Sequence, residues 1–111
     1  MTTSVKKIKE RPDEIKRVIR AAIKANRYIR TDREGTIQFL TDWQKVDREI
    51  AAVTYDSLAK SLSDDGSVPE KGLRFVIEEN KKIARVDREV SFSEVADLSI
   101  LREAQRDLGI K

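Results

Sequence analysis

The chain has no cysteine and no histidine. Without cysteine there is no disulfide and no thiol chemistry. Without histidine the commonest metal ligand and the commonest general base are both missing. Aromatic residues make up only 5 % of the chain, so stacking platforms for bases or sugars are not expected. No apolar run approaches the roughly 20 residues that cross a bilayer, so no membrane insertion is expected. Charge follows Met1 within a few residues, which leaves no apolar core for a secretory signal. No glycine-rich phosphate loop, catalytic triad or metal cluster can be assembled from what remains. The composition therefore points away from an enzyme, and it implies no cofactor.

What is present suits one helical domain. A chain of 111 residues is near the usual domain size and can bury about two-thirds of its unfolded surface. Hydrophobic and charged residues each account for 39 %, which is too apolar for a disordered chain. The net charge of +3 comes from 23 basic and 20 acidic residues, interleaved as on solvated helix surfaces. The closest approach to a basic stripe is Lys6, Lys7, Lys9, Arg11, Lys16, Arg17, Arg20 and Lys24. Glu10, Asp13 and Glu14 interrupt it, so nucleic-acid binding is the weaker reading.

The apolar spacing predicts an all-α, compact bundle of four to five helices in a single domain, 1–111. Residues 1–11 are polar and basic, and read as a frayed start or an edge strand. Pro12 opens a helix to about residue 30, with Asp13 and Glu14 in its first turn. Ile15, Val18, Ile19, Ala22, Ile23 and Ile29 mark its apolar face. Thr31 and Glu34 have capping-box spacing and open a second helix through Ile37, Phe39, Leu40 and Trp43, weakened slightly by Gly35. Asp47 is an N-cap for a third, with Ile50, Val53, Thr54, Leu58 and Leu62 on one side.

Ser63-Asp64-Asp65-Gly66-Ser67 is the clearest loop. Pro69 and Glu70 restart a helix whose buried face is Leu73, Val76, Ile77 and Ile83. Residues 84–92 lack a helical period and read as an extended linker lying across the bundle, with Ser91 and Glu94 spaced to cap a short turn. The tail, 93–111, docks: Ser99 caps a helix from Ile100 to Leu108, Leu101, Ala104 and Leu108 share one face, and Gly109 and Ile110 complete a Schellman stop.

Four features imitate chemistry or a binding site. Asp64-Asp65-Gly66 has the residues of a calcium loop without its alternating spacing or its terminal glutamate, and reads as a turn. Glu10, Asp13 and Glu14 lie at an exposed helix start, where the helix dipole attracts acids. Asn80, set among apolar positions, either binds a ligand or bonds nearby backbone, and the second is the commoner fate of a buried amide. Phe39 and Trp43, one turn apart, read as core, with an interface anchor as the alternative.

Three stretches carry a family resemblance. They are Glu10-Arg-Pro-Asp-Glu-Ile-Lys-Arg-Val-Ile-Arg-Ala-Ala-Ile-Lys-Ala25, Leu62-Ser-Asp-Asp-Gly-Ser-Val-Pro-Glu-Lys-Gly-Leu73 and Val90-Ser-Phe-Ser-Glu-Val-Ala-Asp-Leu-Ser-Ile-Leu-Arg-Glu-Ala-Gln-Arg-Asp-Leu-Gly-Ile110. In order and spacing they resemble the C-terminal helical portion of bacterial periplasmic substrate-binding proteins of ABC transporters, in the nitrate/sulfonate/thiamine-precursor-like group of type II binding proteins. Intact members are much longer and have two α/β lobes that close on a small solute. The resemblance implies a non-enzymatic, transport-related module with weak or no solute binding alone, an ABC permease as partner of the intact protein, and a periplasmic setting. It carries over no ligand-binding residue; Thr2 and Thr3 fall near the interlobe hinge. A cytoplasmic helical interaction module, touching nucleic acid through Lys6–Lys24, is the alternative. Helices that normally cover a lobe would leave apolar residues in water, so a homo-oligomer, a dimer, is expected, with Ile15, Ile19, Ile23, Phe39 and Trp43 at the candidate interface.

Overall fold

A computed structural model describes residues 1–110. Among them the chain is all-helical, in a bundle of seven helices: α1 Val5–Glu10, α2 Pro12–Thr31, α3 Arg33–Gln44, α4 Arg48–Leu58, α5 Glu70–Ala84, α6 Phe92–Val95 and α7 Ser99–Asp107. A single 3₁₀ turn, Ala59–Ser61, follows α4.

Within the first eleven residues, Val5–Glu10 is a helix and not a frayed start or an edge strand. Ser4 Oγ accepts the Lys7 amide at 3.1 Å and caps α1. Pro12, with no N–H to lose, then starts α2 as the spacing predicted. One residue, Asp32, separates α2 from α3. It, and not Thr31, is the cap: its carboxylate takes the Gly35 amide at 2.9 Å and the Tyr28 hydroxyl at 2.6 Å. Thr31 instead turns its hydroxyl back to the Arg27 and Tyr28 carbonyls. A Cβ at Gly35 would fall 2.2 Å from Asp32 Oδ2, so any larger residue there would displace the capping carboxylate.

Helices α3 and α4 form a hairpin around Ile37, Ala51 and Tyr55, with Ile29, Leu40 and Val46 packed against them. Tyr55 donates its hydroxyl to the Ile29 carbonyl at 2.7 Å, which ties the hairpin to the end of α2. The buried face of α4 is therefore Ala51 and Tyr55, while Ile50, Val53 and Leu58 are exposed. Alanine lets α4 approach α3 closely, and the larger residues are turned aside.

The other half of the core is α7 packed on α2. Ile15 and Ile23 of α2 and Ile100 and Ala104 of α7 are buried, whereas Val18 is exposed. Ser99 is the first residue of α7, not its cap; its amide and hydroxyl both reach the Asp97 carboxylate. The helix stops as expected: Gly109 N–H donates to Arg106 O and Ile110 N–H to Gln105 O, with Gly109 at φ 70°.

Helix α5 begins after Pro69 and ends at Arg85, and the segment 85–91 is non-helical. Ser91 and Glu94 form a reciprocal capping box for α6. Of the expected α5 face only Ile77 is buried; Leu73 is half-buried, and Val76 and Ile83 are exposed. The outline is elongated, 47 × 35 × 24 Å, with a radius of gyration of 17.1 Å, against about 13 Å for a closely folded chain of this size.

Candidate functional site

The α2–α7 packing leaves a cleft of about 370 Å³. Ile8, Ile15, Ile19, Ile23, Val68 and Leu101 are among the residues that line it. Gly66 closes one wall in the left-handed conformation (φ 79°), and a Cβ there would meet Leu101 at 2.9 Å and Ile23 at 3.1 Å. The loop holding Gly66 is pinned by its backbone oxygens. Asn26 donates to Ser63 O at 2.9 Å, Arg27 to Asp64 O at 2.7 Å and Gln105 to Asp65 O at 2.7 Å. Thr2 and Thr3 line the cleft too. The sequence placed no contact on them; the nearest local signal at this end is Ser4, which caps α1.

The five candidate interface residues separate into two groups. Ile15, Ile19 and Ile23 come together in the cleft, where Ile15 and Ile23 are buried by their own chain and Ile19 is half-buried. The α2 apolar face is therefore largely covered at Ile15 and Ile23, while Val18 stays exposed. Phe39 and Trp43 do not line the cleft. They stack on each other, ring centroids 5.9 Å apart and 19° from parallel, and are 61 % and 69 % exposed. They are not core.

The acidic clusters are occupied by local bonds. Asp65 Oδ1 accepts the Ser63 hydroxyl and the Ser67 amide, each at 2.8 Å. Hydrogen bonds from the Ser67 side chain and amide, then Ser63, hold its pKa down to about 2. Asp64 turns to Arg30 instead, at 3.5 Å, so the two carboxylates do not converge. Glu14 pairs with Lys7 at 2.9 Å and Arg11 at 3.3 Å, and these bonds, Lys7 first, keep its carboxyl below the usual range. Among the described residues no three acidic side chains gather as a metal site. Asn80 is exposed, and its amide donates to the Val76 carbonyl at 2.8 Å.

Half of the basic stripe is also paired. Lys7 and Arg11 hold Glu14, Lys16 reaches Glu103 and Asp107, and Arg20 reaches Asp107. No described helix is long and apolar enough to cross a membrane. Comparison of the chain with protein-family models, with curated proteins and with solved structures finds no match.

Proposed function

We propose that this chain is the helical C-terminal portion of a two-lobed solute-binding protein that serves an ABC transporter, with no catalytic role of its own. The motif order of 10–25, 62–73 and 90–110 supports this reading. The structural observation that carries it is the apolar surface: fifteen large hydrophobic side chains are exposed, against eight buried hydrophobic residues. Where such side chains adjoin, as in the Phe39–Trp43 stack, they support a surface that lies against more protein. Isolated, it binds solute weakly or not at all, and it relieves its exposed surface by forming a dimer with Phe39 and Trp43 at the contact. The setting implied is the periplasm, and the partner of the intact protein an ABC permease.

The DNA immediately upstream of the Met1 codon tests the reading. An open frame in phase with Met1 that encodes an α/β lobe, with permease and ATPase genes nearby, is expected. In-frame stop codons and a promoter directly upstream, with no transporter genes nearby, would overturn it.

A further inference from the structure

Residues 69–98 leave the α2–α7 unit and return to it. Val68 and Leu98, at the two ends of this excursion, line the same cleft. Between them α5 packs on the returning segment and not on the α2–α7 unit: Ile77 is buried and shares an apolar groove with Val86, Val90 and Val95, while Phe75, Val76 and Ile83 are exposed. The excursion doubles back at Arg85, whose backbone is left-handed (φ 55°, ψ 46°). Arg85 N–H donates to Lys82 O at 3.3 Å and Val86 N–H to Lys81 O at 3.0 Å, the bonds of a Schellman turn. Glycine usually takes that position, because a Cβ raises the energy of the left-handed well. The turn that closes the excursion therefore carries a backbone cost that a straightened segment would not.

The face to which α7 returns is built in more detail. Lys16 lies 3.8 Å from Glu103 and 3.7 Å from Asp107, and Arg20 lies 3.6 Å from Asp107. Gln105 reaches the Asp65 carbonyl. The two helices match in charge as well as in apolar surface, and nothing in that match requires both to belong to one copy.

We propose that two copies of the chain exchange α7. Segment 85–91 straightens, and α7 of each copy seats on α2 of the other. The occupant of the α2 face is then the same helix with the same ion pairs, so the complementarity that closes one chain joins two. Straightening also releases Arg85 from the left-handed well. Helix α5 has 15 residues and is about 22 Å long, so with the straightened segment it bridges the two α2–α7 units. Reciprocal exchange makes the two α5 helices pass each other at the twofold axis, where Phe75, Val76 and Ile83 cover one another. This rests on the dimer proposed above and adds how its copies are joined; Ile15, Ile19 and Ile23 then lie between them.

A chain without cysteine makes the test direct. Arg20→Cys and Asp107→Cys are made as separate single variants, checked for native helix content, unfolded together, refolded at micromolar concentration and treated with a short bismaleimide. A denaturing gel should show a product of twice the chain mass from the mixture, at least tenfold weaker from either variant alone. Lys16→Cys mixed with Glu103→Cys repeats the test if the first pair folds poorly. A two-chain mass in sedimentation without the cross-linked product overturns the exchange and leaves the dimer standing. A one-chain mass overturns both. Arg85→Gly, which eases the closed turn, should raise the dimer dissociation constant at least tenfold; an unchanged constant overturns opening at Arg85.

Discussion

Thr36 is 8 % exposed, and its hydroxyl has no hydrogen-bond partner. A buried, unsatisfied polar atom costs free energy that an apolar atom of the same shape does not. Thr36→Val should stabilise the chain by about 1 kcal/mol, read as a higher urea midpoint with an unchanged slope. Asp65 works the other way. Its pKa falls from an ordinary 3.8 to about 2, so its bonds stabilise the fold fully above pH 4. That contribution is lost as pH falls from about 4 through 2. Asp65→Asn should flatten the acid limb of a stability–pH curve over that window; an identical limb would show that the Ser63–Ser67 turn does not sense its charge. These features differ in legibility. Asp65 sits in a stretch whose composition announces a turn. Nothing in the sequence marks Thr36 as the residue that α3 would bury without a partner, since that depends on how α4 closes over it.

Helix existence was largely legible, and helix faces less so. Pro12, Pro69 and Gly109 act through local backbone chemistry, and all three do what their positions predicted. The α4 face was misread because large apolar residues dominate a periodicity count. Ala51 weighs little in such a count, yet it decides how closely α4 approaches α3. Helix α1 was missed because Pro12 reads as a first start, although a capped turn can end just before it. The ends at Lys45 and Arg85 could not be read at all. Both residues are left-handed, and neither lysine nor arginine signals that conformation. Lys45→Gly should therefore stabilise the α3–α4 hairpin by about 1 kcal/mol, raising the thermal midpoint by about 5 °C. A fall in midpoint would show that the Lys45 side chain contributes more than its backbone costs. The cleft was legible only in part. Ile15, Ile19 and Ile23 stand out by spacing, but Ile8, Val68 and Thr3 reach it through a helix and a loop whose placement is tertiary.

At the scale of the molecule, two small cores are joined through α2, and α5 stands beside them with little cover. The elongated outline follows from that division. So does the surface, because a chain that spreads its apolar residues over two cores and an excursion leaves many in water. The exposed Phe39–Trp43 stack is its most informative patch, since Trp43 is the single tryptophan and reports its own surroundings. Sedimentation equilibrium across the micromolar range, with Trp43 emission recorded at each concentration, tests most directly whether this surface is made for contact. A two-chain mass is expected, with Trp43 emission moving to the blue and losing its quenching by iodide as the chains associate. A single species at 12.7 kDa throughout, with Trp43 emission unchanged and fully open to iodide, would contradict it.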